Sequence, residues 1–275
     1  MATGVFRIDG SGGTLTARRL ILATGGRSLP RTGSDGGGYE LARQLGHRVT
    51  DTSPALVPLV LEEGMFHATV SGLSHEASLS TFVEGKRIDH RTGSLLWTHF
   101  GISGPVAMDA SRFWVMAHAQ GRPVEMRCGF VPGESFETGE KWIIDAGGAR
   151  PRLSVLKLIA QRMPERLAEA LLQWTSVDPS GPLGQLSREQ RRRIVHVLTA
   201  LPLPILRDRG WNYAEVTAGG VPLDEIDFRT MQSRKTPGLF LAGEILDCDG
   251  RIGGFNFQWA WATGFVAGRG AAAGS

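Results

Sequence analysis

Residues 238–264 read GLFLAGEILDCDGRIGGFNFQWAWATG. The apolar run Leu239-Phe240-Leu241-Ala242 stops abruptly at Gly243, and no charge follows Arg251. A short apolar run ended by glycine predicts a strand buried within a sheet. From Phe255 onward, Trp259, Trp261 and Phe265 alternate with Ala260, Ala262, Gly264, Ala267 and Gly268. With no polar stripe, that segment predicts a helix buried against a sheet or another helix. Between the two, Gly253 and Gly254 leave backbone amides uncovered, and Asn256 is a candidate N-cap. The free N–H groups of a helix start carry about half a positive charge and attract anions or electron-rich carbonyls. Open α/β sheets collect ligands at such places, beyond the carboxyl ends of their strands.

The same shape occurs once more. Residues 20–26, LILATGG, form an apolar run that ends in glycine, preceded by a predicted hairpin whose turn is GSGG at 10–13. Leu20 to Ala23 read as a strand buried on both faces. A loop with Pro30 and Gly33 leads into GGGYELARQLGH (36–47), a helix with Gly46 at its C-terminal cap. From about residue 52 to 136 the chain is β-rich, with alternation in EASLSTFVEGKRI. Residues 151–200 carry helical periodicity instead, and strand character returns from 211. The pattern predicts an α/β protein whose first domain is discontinuous, formed by residues 1–52 and 206–275. A β-rich insert, 53–150, and a helical insert, 151–205, interrupt it.

Several functional classes lose their footing on the sequence. The composition is 41% hydrophobic and 21% charged over 275 residues, an ordinary globular balance. The net charge of +3 is mild, although the isoelectric point is 9.2. The densest basic stretch, SREQRRRI (187–194), precedes Ile194, Val197, Leu198 and Leu201 at helical spacing, so its arginines read as the wet side of a helix rather than a nucleic-acid patch. Two cysteines, Cys128 and Cys248, make no disulfide framework. No stretch approaches the roughly 20 apolar residues of a membrane span, and the N-terminus shows no signal pattern. The expectation is a soluble, cytoplasmic protein that binds neither membrane nor nucleic acid. GSDGGG (33–38) is followed by Tyr39 and Glu40, not by the Lys and Ser/Thr of a Walker loop, and no strand runs directly into it. His99, in THFGISGP (98–105), is a candidate proton donor or a structural residue. The other histidines form no metal spacing, and there is no CxxC, HExxH or G-x-S-x-G, so no metal site and no catalytic residue is assigned.

Five ordered blocks together resemble a known family: LILATGGRSLPRTGSDGGGYELARQLGH, PALVPL (54–59), THFGISGP, AEVTAGGV (214–221) and GLFLAGEILDCDGRIGGFNFQWAWATG. They are similar to the bacterial flavoproteins called BaiN/RdsA-like or aminoacetone-oxidase-like. The resemblance implies a two-part, Rossmann-like FAD-binding domain interrupted by a β-rich and a helical insert. It places Ala23, Thr24, Gly25 and Gly26 near the dinucleotide, and Gly243, Glu244, Asp247 and Asp249 along the pyrophosphate and ribityl chain. Gly253, Gly254, Phe255 and Asn256 would meet the isoalloxazine ring. It further implies an FAD-dependent oxidoreductase acting on a small-molecule substrate, with NAD(P)H or oxygen as redox partner. The family begins with a strand and a G-x-G-x-x-G turn, whereas this chain opens at MATGVFRIDG, past those parts. The expectation is therefore the C-terminal two-thirds of such an enzyme. The alternative is a truncated, non-catalytic fragment that does not hold FAD stably and self-associates through an exposed sheet edge.

Overall fold

The computed structural model describes residues 4–273. The chain divides into two compact units, residues 1–56 with 210–275, and residues 57–209. In chain order the first unit begins with β1 (Phe6–Gly10) and β2 (Gly13–Ala17), a hairpin turned at the expected glycines. Then come β3 (Leu20–Leu22), α1 (Gly37–Gln44) and β4 (Ser53–Ala55). Gly46, just past α1, is left-handed at φ 89°. No side chain is well placed there, and glycine closes the helix without strain.

The second unit contains β5 (Leu59–Leu61), β6 (Ser74–Val83), β7 (Lys86–Thr98), β8 (Gly101–Ser103), α2 (Pro105–Ala119), β9 (Val124–Gly129), α3 (Phe136–Ala149), α4 (Val155–Ile159), α5 (Glu165–Trp174), α6 (Arg188–Ala200), β10 (Leu201–Leu203) and β11 (Ile205–Asp208). Its strands make one antiparallel sheet in the order β10-β9-β6-β7-β8-β5-β11. Helix α2 lies across that sheet, and α6 packs against both β9 and α3. Trp97, Leu79, Leu95, Met126 and Phe130 fill the core. The arginine-rich start of α6 is partly tied down: Arg191 pairs with Glu140 at 3.4 Å and Arg192 lies over the Phe136 ring. Ile194, Val195 and Leu198 are its buried face.

The first unit resumes with β12 (Val216–Ala218), β13 (Ile226–Asp227), β14 (Gln232–Ser233), β15 (Leu239–Leu241) and α7 (Phe255–Ala272). β12 pairs with β4, and β13-β14-β15-β3 form a second sheet in which β15 and β3 run parallel, Phe240 opposite Ile21. Leu22, Tyr39, Ala42, Leu239, Phe240, Leu241 and Ala267 make one core. Burial of these side chains is the main force holding the unit together, at about 1.5–3 kcal/mol for each large one.

Two expectations fail here. β3 is the last strand of its sheet among the described residues, and Ile21 is 41% exposed, so the strand is not covered on both faces. Helix α7 is not buried all round either. Thr263 and Ala267 are enclosed, while Phe257, Trp261 and Phe265 are 68%, 69% and 65% exposed. The physical reason is the same for both: α7 packs on β15, β3 and β14, and nothing among the described residues lies beyond β3 to cover its outer side.

Candidate functional site

The two glycine-ended strands, β3 and β15, are neighbours, so the turns that follow them leave the sheet side by side. The segment after β15 is fastened to α7. The Gly243 N–H donates to Thr263 Oγ1 at 2.9 Å, and Trp259 Nε1–H donates to the Gly243 carbonyl at 3.1 Å. Trp259 and Thr263, four residues apart and hence on one helix face, are the polar handles by which this mostly apolar helix grips Gly243.

The segment after β3 is fastened to the same place through β12. Thr217 Oγ1 accepts from the N–H groups of Arg27 and Ser28 at 2.8 and 3.2 Å. The Glu244 carboxylate accepts from the N–H of Thr217 and that of Gly26. Burial pushes the Glu244 pKa up, these hydrogen bonds and one from the Thr217 side chain oppose it, and the charge of Asp249 adds to the rise. Tyr39 of α1 donates to the Glu244 carbonyl at 3.4 Å, its own pKa raised by burial and by the nearby Glu244 charge. Thus one carboxyl group clips together the ends of both strands.

These elements enclose a cavity of about 620 Å³, every lining residue of which belongs to the first unit. Its size falls within the roughly 300–1,000 Å³ of small-molecule sites. The walls include Ala23, Gly25, Leu29, Leu56, Glu215, Val216, Ala242, Gly243, Glu244, Cys248, Arg251, Ile252, Trp259 and Ala260, with Gly253, Gly254 and Asn256 at the start of α7. They are mostly apolar, and the polar groups converge at the two strand ends and the helix N-terminus. Gly254 caps α7 with φ 88° and no side-chain hydrogen bond, and Gly253 has φ 118°. A side chain at either position would be strained and would stand over the first-turn amides. Asn256 is not the cap expected from the sequence. Its carboxamide accepts from Gly250 N–H at 2.7 Å and donates to Gly250 C=O at 3.1 Å, closing the loop that carries Arg251 and Ile252.

Of the residues singled out from the sequence, the cavity brings together Ala23, Gly25, Gly243, Glu244, Gly253, Gly254 and Asn256. The other five lie outside its lining. Thr24 stands against Gly38 of α1, where a Cβ would meet its hydroxyl at 1.7 Å. Gly26 packs on Thr217 and donates to Glu244. Asp247 accepts from Thr50 Oγ1 at 3.0 Å, its backbone N–H bonded to Val221. Asp249 acts on Glu244 through its charge. Phe255 is half-exposed, with the Arg251 guanidinium 4.9 Å above its ring. His99 lies in the turn between β7 and β8 of the second unit and takes no part.

Sequence reasoning missed Thr217, Trp259 and Thr263. The signal for the last two was present, a hydrogen-bonding pair at helical spacing inside an apolar segment. Thr217 lies in the quoted block AEVTAGGV, but only the fold shows that β12 runs beneath both strand ends.

Comparison with known proteins places this arrangement. The chain is 33% identical over 268 residues to a 3-dehydro-bile acid delta(4,6)-reductase of Clostridium scindens, covering 98% of this chain and 65% of that protein. It is 33% identical over 262 residues to the ribosomal RNA dihydrouridine synthase of Escherichia coli, covering 95% and 62%. The enzyme of the same name from Haemophilus influenzae is 30% identical over 251 residues, covering 90% and 59%. The chain therefore spans about three-fifths of the length of these curated relatives. Residues 1–270, nearly the whole chain, match one family description, and the protein belongs to the HI0933-like protein Rossmann domain family.

Proposed function

We propose that the cavity of the first unit holds the flavin of FAD and that the chain is the flavin-bearing part of an oxidoreductase. The observation that carries this reading is the start of α7: two left-handed glycines expose uncapped amides to a mostly apolar cavity about 620 Å³ in volume. A planar, electron-accepting ring with polar carbonyl edges suits such walls. Bound there, the flavin supplies two-electron redox chemistry.

The chain's own groups do the rest. The positive end of α7 favours negative charge on whatever carbonyl or ring nitrogen lies against Gly254 and Asn256. Glu244 holds the two strand ends together from the cavity wall. Arg251 adds a cation at the rim. The names of the relatives share one chemistry, reduction of an unsaturated carbon framework in a bile acid derivative or in a uridine of RNA. We extend that reaction class to this protein: delivery of hydride and a proton to a polarised carbon–carbon double bond, with NAD(P)H as the source of electrons and a small organic molecule as substrate.

Titration of the purified chain with FAD, followed by quenching of flavin fluorescence and by the visible spectrum after desalting, tests the reading. Retained yellow colour and saturable quenching are expected, and Gly254→Val should weaken binding at least tenfold. A chain that stays colourless and quenches neither FAD, FMN nor riboflavin would overturn it in favour of a fragment without stable cofactor.

A further inference from the structure

Two leucines of the cavity wall are held in a backbone conformation that leucine avoids. Leu29 has φ 52° and ψ 56°, and Leu56 has φ 48°. Both residues line the cavity. In the left-handed region a Cβ crowds the neighbouring carbonyl oxygen, a clash that glycine escapes. Elsewhere in the same lining the left-handed positions do fall to glycine, at Gly25, Gly243, Gly253 and Gly254.

Three other non-glycine residues among those described have positive φ, and local turns account for them: Glu84, Ser176 and Met231. Glu84 precedes Gly85 in the tight hairpin between β6 and β7. Ser176 follows the end of α5, its N–H donating to the Gln173 carbonyl and that of Val177 to Leu172. The Met231 N–H closes a turn on the Asp227 carbonyl. Leu29 and Leu56 end neither a hairpin nor a helix. Pro30, moreover, favours extended backbone for the residue before it.

What fixes the two leucines is one stretch of chain. The Leu29 N–H donates to the Trp211 carbonyl at 3.0 Å, and the Leu56 carbonyl accepts from the Glu215 N–H at 3.1 Å. Glu215 and its neighbour Val216 belong to the cavity wall as well. Strain that the surroundings impose in this way marks a side chain required where it stands. Leu29 is 45% exposed although it lines a cavity, and Leu56 is buried.

We propose that Leu29 and Leu56 form the seat of the flavin's apolar ring system, an inference that rests on the assignment of this cavity to FAD. The start of α7 offers amides to the carbonyl edge of the ring, and the leucines offer apolar surface to its methyl-bearing benzenoid part. Covering a half-exposed leucine side chain is worth about tenfold in affinity. A seat fixed by the backbone also leaves little side-chain ordering to oppose binding.

The test uses the intact chain and its Leu29→Ala, Leu29→Gly and Leu56→Met variants. Thermal melting without ligand reads the strain. Alanine and glycine both remove the leucine side chain, and only glycine relaxes at φ 52°, so Leu29→Gly should melt at the higher temperature. Fluorescence-quenching titrations read the seat, with FAD and with riboflavin, which carries the ring without the pyrophosphate and adenosine. Both Leu29 variants should raise the dissociation constant about tenfold, by the same factor for the two ligands. Leu56→Met keeps an apolar side chain of similar size and should hold both affinities within about twofold.

Unchanged affinity of Leu29→Ala for both ligands would refute the seat and leave the flavin assignment standing. A loss confined to FAD, or binding of FAD without riboflavin, would refute it too, because the contacts would then lie along the dinucleotide. Leu29→Ala melting above Leu29→Gly would remove the strain on which the inference is built. A parent chain that quenches neither ligand would strike the flavin assignment itself, and the seat with it.

Discussion

At the scale of single residues, one charged cluster lies away from the cavity. Glu225 is 4% exposed, yet it carries a full set of partners: Lys235 Nζ at 2.8 Å, Arg48 Nε at 2.7 Å and His47 Nδ1 at 2.8 Å. Burial alone would raise its pKa. Hydrogen bonds from Lys235, Arg48 and His47 outweigh that and hold it at about 2, against an ordinary value of 4.5. Because the folded value is the lower one, the stabilisation is complete above pH 4.5 and is lost as the pH falls from there toward 2. His47 Nε2 meets Ser233 Oγ at 2.8 Å, which gives the outline of a Ser–His–Glu triad. The hydroxyl, however, already accepts from the N–H groups of Lys235 and Thr236, and all three groups are buried, so the arrangement is a clamp and not a nucleophile. Glu225→Ala should cost about 2 kcal/mol at pH 7, less than a wholly buried pair because Arg48 and Lys235 can turn to water. Thermal melts of both proteins from pH 6 to pH 3 check the sign: the gap should narrow with acid, and a constant or widening gap refutes the assignment.

At the scale of the element, α7 fastens the turn after β15 and closes one side of the cavity. Its inner face holds Gly243 through Trp259 and Thr263, and its N-terminus faces the cavity. Thr263→Val keeps the shape but removes the acceptor for the part-buried Gly243 N–H, at a cost of about 1 kcal/mol. Chemical denaturation should show the loss in stability. Flavin quenching should weaken as well, since Gly243 lines the cavity; a variant that loses stability with unchanged quenching would separate the helix clamp from the site. The sequence announced this helix clearly, because no charge interrupts residues 252–268, an apolar stretch too long for an ordinary strand. It could not announce the exposed half. Composition reports what a segment tends to bury, and only the sheet's end at β3 decides how much of α7 finds a partner. Asn256 was misleading for a related reason. A polar residue in the first turn reads as a cap, but Gly254 takes that position and frees the carboxamide to close the Gly250 loop. The strand-end glycines were legible because a backbone that must approach a ligand has few alternatives to glycine. Thr217 was not, because its role depends on β12 passing beneath two turns far apart in sequence.

At the scale of the whole molecule, the function proposed here belongs to one of the two units. All residues that line the cavity fall in 1–56 and 210–275, although 153 residues intervene between the two segments. The intervening unit leaves and rejoins the first at adjacent points. Leu59 pairs with Asp208 in the antiparallel β5–β11 ladder, and the Arg209 N–H donates to the Pro58 carbonyl at 3.1 Å. A unit whose ends meet, with its own sheet and its own core around Trp97 and Phe130, meets the physical conditions for folding alone. Residues 57–209 expressed as a separate polypeptide should therefore unfold cooperatively on heating and leave FAD fluorescence unquenched. The intact chain should quench it. Melting followed by circular dichroism, together with a flavin titration of each polypeptide, measures both halves of the expectation. Quenching by 57–209 alone would move the cofactor site out of the first unit. A 57–209 polypeptide without a cooperative transition would show that its seven-stranded sheet depends on the flanking segments for more than covalent attachment.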